Sequence, residues 1–255
     1  MQETILKIEN VTKYFGGLAA LNAVSFHTAN SEILGIIGPN GAGKSTLINI
    51  ISGFFAPTKG KVVFNYRDIT GLKAHEIARL GMGRNFQASS ILFMDLSVIE
   101  NVFAAYHKLY NTKIWQRLLC TPSALQEEKS FKDKACKVLQ FMGLYSLKDE
   151  LAKNLSHGYQ RILGMSIALA TSPKLLLLDE PVTGMNQTEI NTTVGLIRQI
   201  RSSGITIILI EHNIETVMSL CDRIVVLNHG EKIAEGLPAE IQKNEEVIEA
   251  YLGKE

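Results

Sequence analysis

The sequence predicts an α/β fold in which helices cover both faces of a mainly parallel sheet. Short continuous apolar runs such as Ile33–Ile37, Leu175–Leu178 and Ile205–Ile210 indicate strands that are buried on both faces. After residue 156, such runs alternate with stretches whose apolar residues are three and four positions apart. The first 75 or so residues are mostly strand, whereas residues 89–155 have a helical pattern. This change predicts a helical unit inserted into the chain that forms the sheet.

The same patterns predict the individual elements. Lys61–Tyr66 has the composition of a further strand, and Asn228–Glu231 indicates the turn of a hairpin near the end of the chain. The predicted helices are Val98–Leu109, Leu125–Met142, Gln160–Ala170, Glu189–Arg201, Ile214–Leu220 and a last one around Glu240–Tyr251.

Composition and the lengths of the apolar runs bear on two functions, nucleic-acid binding and membrane spanning. The chain has 255 residues, is 46% hydrophobic and carries a formal net charge of +1, so it lacks the basic excess typical of nucleic-acid binders. Its longest apolar runs fall far short of the roughly 20 residues that a membrane helix requires. If the protein acts at a membrane, another subunit must supply the spans. The spacing of Cys120, Cys136 and Cys221 indicates reduced thiols.

A glycine-rich segment between a predicted strand and a predicted helix matches the phosphate-binding pattern G-x-x-x-x-G-K-[ST]. Glycines let the backbone approach phosphate oxygens, and successive N–H groups can point at an anion near the positive end of the following helix. Lys44 supplies a charge for the outer phosphates, and Ser45 supplies a hydroxyl for Mg²⁺. The residues predicted to bind ATP in this way are Gly38, Pro39, Asn40, Gly41, Ala42, Gly43, Lys44, Ser45 and Thr46.

Acidic residues and a histidine follow two of the buried strands. Asp179 and Glu180 come directly after Leu175–Leu178, at the end of the strand where ligands of open parallel sheets lie. We expect Asp179 to hold Mg²⁺ through water and Glu180 to act as general base on the attacking water. His212 lies just beyond the next strand, from which it could reach the γ-phosphate.

With these residues in this order, the chain resembles the nucleotide-binding subunits of ABC transporters over essentially its whole length. The resemblance implies a P-loop NTPase core with a parallel sheet, an N-terminal antiparallel β subdomain and an inserted α-helical subdomain. It implies one domain over residues 1–255, in which residues 1–88 and 160–255 form the nucleotide-binding core with its β subdomain. Residues 89–159 then form the helical subdomain, which ends in the signature loop.

The resemblance also implies roles for individual residues. Phe15, with Tyr14 as the alternative, stacks on the adenine ring. Gln87 matches the Q-loop glutamine, which senses Mg²⁺ and couples to the membrane subunit. Asp179, Glu180 and His212 match the magnesium-linked aspartate, the catalytic glutamate and the switch histidine. The implied catalytic residues are therefore Lys44, Gln87, Glu180 and His212, and the implied metal site comprises Ser45, Gln87 and Asp179.

The signature segment Leu155–Gln160 corresponds to the loop that grips the γ-phosphate held by a partner subunit. Ser156 and Gly158 match the family pattern, but Tyr159 stands where glutamine is usual. In addition, His157 replaces a glycine, and Ile162 and Ile167 stand where arginines are common. We hypothesise that the site on this chain's own phosphate loop is competent, whereas the site completed by its signature segment is weakened.

Within the family, the chain most resembles the ATPases of branched-chain amino-acid importers. The stretches that carry this resemblance are Gly83–Gln87, Leu96–Val102 through Trp115–Ser123, and Glu211–Met218 through Cys221–Leu227 and Ala234–Gly236 to Ala250–Gly253. Urea or amide importers and a lipopolysaccharide exporter ATPase share much of this pattern and stay open as alternatives. A weakly hydrolysing regulatory half of a heterodimer is another.

The resemblance implies ATP and Mg²⁺ as cofactors and a set of partners. These are a second ABC ATPase subunit in a heterodimer, integral-membrane permease subunits and an extracytoplasmic solute-binding protein. The expected location is the cytoplasmic face of the inner or plasma membrane, through the permease subunits. An ABC ATPase that acts on nucleic acid or ribosomes usually has two cassettes or a long inserted arm, and this sequence shows neither, so we expect no nucleic-acid partner.

Overall fold

The computed structural model describes residues 3–85, 92–109 and 112–252. The strands in these ranges are β1 Thr4–Phe15, β2 Leu18–Ala29, β3 Ile33–Ile37, β4 Lys59–Phe64, β5 Arg67–Asp68, β6 Met82–Asn85, β7 Leu175–Asp179, β8 Thr206–Ile210, β9 Arg223–Asn228 and β10 Glu231–Gly236. The helices are α1 Lys44–Ile51, α2 Ala74–Arg79, α3 Val98–Ala104, α4 Ile114–Leu118, α5 Pro122–Phe141, α6 His157–Ala170, α7 Gln187–Ser202, α8 Ile214–Leu220, α9 Pro238–Ile241 and α10 Glu245–Leu252.

The larger sheet has six strands in the order β10-β9-β3-β8-β7-β6. All neighbouring pairs are parallel except β10 and β9, which form the predicted antiparallel hairpin. The central strand β3 lies between β9 and β8, and Asp179 at the end of β7 pairs with Ile210 at the end of β8. The carboxyl ends of β3, β7 and β8 therefore meet at one edge of the sheet, as the sequence predicts.

The smaller sheet is antiparallel, with the order β2-β1-β4-β5. It lies on one face of the larger sheet, and the two share a hydrophobic core with α1. The other face of the larger sheet is covered by α6, α7 and α8, together with the helices inserted between β6 and β7. Leu175 and Leu177 belong to the first core, whereas Leu176 and Leu178 belong to the second. This alternation explains why the four residues Leu175–Leu178 of β7 are all apolar.

The inserted helices share the second core with the helices of the sheet. Ser97 begins α3 with a capping box, in which its backbone N–H donates to Glu100 Oε2 over 2.7 Å. The stacked rings of Tyr106 and Phe131, with centroids 5.1 Å apart, join the segment after α3 to α5. The predicted fold class, with its parallel sheet, antiparallel β unit and helical insertion, is confirmed.

Several predicted bounds differ from the structure. Residues 98–109 begin as α3 and continue as a 3₁₀ helix over Ala105–Leu109. The single closing helix predicted around Glu240–Tyr251 is wrong: α9 ends at Ile241, and Asn244 Oδ1 accepts from Val247 N over 3.1 Å to start α10. The short strand β6 was not predicted, because its sequence Met-Gly-Arg-Asn lacks β-branched and aromatic residues.

One of the two predicted subdomain boundaries can be compared with the structure. Helix α6 begins at His157 rather than Gln160, because the side chain of Ser156 caps it by accepting from Tyr159 N. The proposed boundary at residues 159 and 160 therefore falls inside a helix. The other boundary, at residues 88 and 89, lies outside the described residues, and the division itself stays a prediction. Across the described ranges, no helix combines the length and apolar character needed to cross a membrane.

Two glycines test how tightly α8 packs on the central strand. A Cβ added at Gly35 in β3 would lie 2.8 Å from Cys221 Sγ and 3.2 Å from Val217 Cγ1, whereas one added at Gly195 in α7 would meet no atom within 4 Å. Neither glycine has a positive φ. We expect Gly35→Ala to lower the free energy of unfolding by about 1–3 kcal/mol through overpacking. The exposed helical Gly195→Ala should raise it by about 0.5–1 kcal/mol. Urea unfolding measures both, and equal effects would contradict the packing described here.

Candidate functional site

A cavity of about 440 Å³ lies at the carboxyl ends of the central strands. One wall is the predicted phosphate loop, which contributes Asn40, Gly41, Ala42, Gly43, Lys44, Ser45 and Thr46. Glu180 and His212 form part of the opposite wall, and Leu18, Ala19, Ala20, Ile210 and His229 complete the lining. The structure therefore brings together side chains that are more than 160 positions apart in the sequence.

The phosphate loop is held against two neighbouring segments of backbone. A Cβ at Gly38, which has φ of +152°, would lie 2.1 Å from the carbonyl oxygen of Leu227 at the end of β9. A Cβ at Gly43, which has φ of +99°, would lie 2.7 Å from Ala20 O. Gly230 N donates to Ala42 O over 3.1 Å, so the turn between β9 and β10 fastens the loop. Glycine is required at 38 and 43 both for conformation and for space.

Lys44 is buried and folds back over the loop. Its Nζ donates to the carbonyl oxygens of Gly38 and Pro39 over 2.7 and 2.9 Å. Burial lowers the pKa of Lys44, and the carboxylates of Glu180 and Asp179 partly offset this by raising it. The two loop positions that do not line the cavity, Gly38 and Pro39, thus orient the lysine instead.

Glu180 is held on several sides at the mouth of the cavity. Its residue adopts a left-handed backbone conformation with φ of +50°, which is strained for a non-glycine residue. Its N–H donates to Ile210 O over 2.8 Å, and its carbonyl oxygen accepts from Arg161 of α6 over 3.0 Å. His212 Nε2 lies 2.9 Å from Glu180 Oε1. The pairing of Glu180 with His212, residues that follow different strands, is a consequence of the strand order.

A buried glutamate, Glu211, holds the backbone on either side of the Glu180–His212 pair. Glu211 is 1% exposed, and its carboxylate accepts from the backbone N–H groups of Val182 and His212 over 2.8 and 3.0 Å. Burial raises the pKa of Glu211, while these backbone hydrogen bonds act in the opposite direction. Glu211 therefore ties the segment after β7 to the segment after β8 and sets the spacing between Glu180 and His212.

Asp179 lies at the end of β7 and is paired with Arg84 of β6, with Nη2 3.1 Å from Oδ2. Two of the three predicted metal residues are thus at the same edge: Ser45 lines the cavity, and the Asp179 carboxylate interacts with Lys44. Oxygen donors of this kind suit Mg²⁺. Among the described residues, no group of three or more His, Cys, Asp and Glu side chains could hold a metal. Phosphate oxygens and water would have to complete such a site.

The signature residues do not line this cavity. Ser156 caps α6, and Ser156 Oγ and Gly158 both lie against Glu189 of α7. A Cβ at Gly158 would be 2.6 Å from Glu189 Oε1. Tyr159 is exposed, whereas Ile162 is buried in the second core. The residues predicted to contact a γ-phosphate in this segment are therefore not part of the cavity that the chain's own phosphate loop lines.

The remaining predicted residues are placed as follows. Phe15 is 44% exposed at the end of β1, where its ring packs edge-on against Phe55 with centroids 5.5 Å apart. Tyr14 is also partly exposed, and it is Leu18, the hairpin partner of Phe15, that lines the cavity. Gln87 lies outside the described residues.

Sequence reasoning missed four residues that support the site: Arg84, Arg161, Glu189 and Glu211. Arg84 lies three residues before Gln87, and Glu211 directly precedes His212. Their proximity to these predicted site residues was the one signal in the sequence. Each of the four acts through a partner far away in the chain, and no local pattern reveals such contacts. The arrangement as a whole can bind a polyphosphate with Lys44 and the loop N–H groups. It also presents a carboxylate and an imidazole to the last phosphate.

Comparison with known proteins agrees with this chemistry. A family model described as ABC transporter matches residues 21–183, and one described as branched-chain amino acid ATP-binding cassette transporter matches residues 231–255. The chain is 40% identical to the high-affinity branched-chain amino acid transport ATP-binding protein LivG of Salmonella typhimurium, with all of both chains covered. It is 38% identical to the corresponding protein BraF of Pseudomonas aeruginosa, again with full coverage of both.

Solved structures give the same result. A nucleotide-free ATP-binding cassette from an ABC transporter has a TM-score of 0.86 and 32% identity, with 98% of this chain and 100% of that chain covered. A dimeric ATP-binding cassette in a post-hydrolysis state, bound to ADP and Pi, has a TM-score of 0.77 and 25% identity, with 92% and 99% covered. The chain therefore belongs to the ABC transporter family, as an ATP hydrolase in the group that contains the branched-chain amino acid transport ATP-binding proteins.

Proposed function

We propose that this chain is an ATP-hydrolysing subunit that powers an ABC importer of branched-chain amino acids. The observation that carries the proposal is the cavity in which the phosphate loop with Lys44 faces the Glu180–His212 pair. The similarity to branched-chain amino acid transport proteins over the whole chain supports the solute assignment. Urea, amide and lipopolysaccharide systems are the alternatives, and solute transport distinguishes them.

ATP binding would use the phosphate loop in the way its geometry suggests. The β- and γ-phosphates enter the cavity and offer Lys44 Nζ partners that replace the carbonyl oxygens of Gly38 and Pro39. Because Lys44 is already buried, its charge–phosphate contact is strengthened by the low local dielectric constant. Phe15 is the proposed adenine contact. Mg²⁺ would be held by Ser45, by Gln87 and, through water, by Asp179. When bound, it would neutralise phosphate charge in the transition state.

Hydrolysis would depend on the Glu180–His212 pair. Glu180 Oε1 accepts a hydrogen bond from His212 Nε2 when the imidazole carries its proton there. Glu180 Oε2, which accepts from Thr183 Oγ1 over 3.5 Å, would orient a water and take its proton. His212 then keeps the carboxylate aimed at the γ-phosphate. The backbone contacts of Glu180 with Ile210 and Arg161 hold the carboxylate on the cavity wall.

A second ATPase subunit would complete the site. Ser156 is exposed and Gly158 is buried against Glu189, and neither lines this chain's cavity. Both lie at the N-terminus of α6, where backbone N–H groups favour an anion. We propose that they contact the γ-phosphate bound by a different ATPase subunit, in a heterodimer. The similar cassette that forms a dimer with ADP and Pi supports such an arrangement.

The permease subunits would dock at an apolar groove of about 380 Å³ on another face. Residues of α2, β6, α3 and α6 and of the segment after α1 border it, with Phe54, Ile77, Met82 and Ile167 among them. A helix on the cytoplasmic side of a permease, with apolar residues along one face, matches this groove in shape and polarity. Docking there would place the chain at the cytoplasmic face of the membrane, and the solute-binding protein would act on the opposite side.

Replacing the proposed general base should separate binding from hydrolysis. In the assembled transporter, Glu180→Gln should lower the rate of ATP hydrolysis by about 10²–10⁴-fold, since a general base contributes on that order. Tight ATP binding should persist, because Lys44 and the loop are unchanged. Hydrolysis rates and bound nucleotide are measured together, with Glu215→Gln on the exposed face of α8 as control. Undiminished turnover in the Glu180 variant would contradict the proposed role.

Solute transport tests the proposal as a whole. Proteoliposomes that contain the permease subunits and both ATPase subunits should take up labelled leucine, isoleucine or valine when ATP and the solute-binding protein are supplied. Lys44→Ala should weaken ATP binding by roughly 10–100-fold, because it removes a charge-assisted hydrogen bond, and should abolish uptake. The exposed Lys61→Ala serves as control. ATP-driven uptake of urea or an amide in place of these amino acids would overturn the solute assignment.

The departure at Tyr159 allows a test of the signature segment. Tyr159 is exposed beside the cap of α6, so Tyr159→Gln should fold normally and restore the usual family residue at the proposed contact with the partner's nucleotide. We expect ATPase activity of the assembled transporter to rise about two-fold or more, which corresponds to at least roughly 0.4 kcal/mol of transition-state stabilisation. An unchanged rate would show that Tyr159 does not weaken the site that this chain completes.

A further inference from the structure

We propose that Arg84 is a positioning residue that fixes the Asp179 carboxylate on the magnesium side of the ATP site and links it to the apolar groove. This inference rests on the proposed function, because it concerns the same site. It assigns a role to a side chain that no local pattern of the sequence explains.

Arg84 joins three elements through one guanidinium group. Its Nη2 lies 3.1 Å from Asp179 Oδ2 at the end of β7, and its Nη1 donates to Asn49 Oδ1 over 2.7 Å and to Ser52 Oγ over 2.8 Å. Asn49 belongs to α1, the helix that starts at the phosphate loop, and Ser52 caps its C-terminal end. Arg84 itself lies in β6. The phosphate-loop helix and the acidic strand end are therefore tied to the same edge strand.

The contact is buried enough to set the direction of the carboxylate. The side chains of Arg84 and Asp179 are 10% and 18% exposed. Burial lowers the pKa of Arg84, while the charge of Asp179 and its hydrogen bond raise it. An ion pair in such surroundings is costly to break, since the partner would be left as a buried charge. Because Oδ2 is engaged by Arg84, the direction of Asp179 Oδ1 is set as well.

Only arginine has the geometry for this arrangement. Its planar fork directs one nitrogen to Asp179 and the other to Asn49 and Ser52 at the same time. Lysine would keep the positive charge but offers a single nitrogen on a flexible stem. If Arg84 acts by positioning Asp179, Arg84→Lys should lose the function. If only its positive charge matters, Arg84→Lys should keep it.

The same side chain borders the groove proposed for the permease helix. Arg84 is part of the groove lining, and its guanidinium carbon lies 5.5 Å from the ring centroid of Phe54, another lining residue. A helix that enters the groove would contact Arg84 or Phe54. Any displacement of the guanidinium would change its contact with the Asp179 carboxylate. Occupation of the groove is thus coupled to the carboxylate through one side chain.

The first experiment measures Mg²⁺-dependent ATP binding by the isolated full chain, with a fluorescent ATP analogue as probe. Arg84→Lys and Arg84→Gln should each raise the Mg²⁺ concentration for half-maximal binding by about ten-fold, as removal of a residue that orients a metal-linked group does. Binding in EDTA should change by less than about two-fold. Arg201→Lys is the matched control. Arg201 Nη2 lies 3.0 Å from Asp222 Oδ1, and neither residue lines the cavity.

The outcomes separate the possibilities. A lower melting temperature with an unchanged Mg²⁺ midpoint in both variants would reduce Arg84 to a structural ion pair and overturn the proposal. A normal midpoint in Arg84→Lys with a shifted one in Arg84→Gln would leave charge alone as the cause and also overturn it. If wild type fails to bind ATP, the proposed function fails instead.

The second experiment tests the link to the groove. Assembly with the permease subunits should shift the Mg²⁺ midpoint of ATP hydrolysis in wild type, and this shift should be lost in Arg84→Lys. Arg201→Lys should behave like wild type. An equal shift in wild type and Arg84→Lys would overturn the coupling between groove and carboxylate.

Discussion

The ATP site depends on the close packing of the phosphate loop against the end of β9 and the turn that follows it. At Gly38 there is no room for a side chain, because the carbonyl oxygen of Leu227 occupies the place of a Cβ. Gly230 then holds the loop through Ala42 O. These contacts fix the backbone of the loop, which lines the cavity in which we propose that the nucleotide phosphates bind. Every other side chain of the site is arranged around that fixed loop.

Charge in the site is balanced by pairing. Lys44 is surrounded by carbonyl oxygens and two carboxylates, Asp179 by Arg84, and Glu180 by His212. Each pair holds its carboxylate in place at a partly buried position, where it can serve a cation or a water. The pairs also join elements that would otherwise be held only by apolar packing. The arrangement is therefore both a nucleotide site and a set of connections between β6, β7, β8 and α1.

The position of the signature segment is consistent with the second ATPase subunit that we propose. Ser156 and Gly158 begin α6 outside the lining of the chain's own cavity, and Glu189 lies against both. At its other end, α6 packs in the second core and contacts the groove through Gly164 and Ile167. A single helix thus connects the proposed contact with another subunit's nucleotide to the proposed contact with the permease. Arg161 of the same helix reaches Glu180 O.

The sequence by itself determined the fold class, the phosphate loop and the acidic strand end at Asp179 and Glu180, because each is a run of neighbouring residues whose chemistry and periodicity are local. It also placed β3 and α8 at their correct bounds. Only the tertiary structure decided that His212 meets Glu180, that Arg84 holds Asp179 and that Glu189 covers Gly158. It likewise divided the closing helix at Asn244 and made β6 a strand by pairing it with β7. Apart from the local cap at Asn244, these features join residues that are distant in sequence, and their energies arise from strand order and burial, which no local pattern encodes.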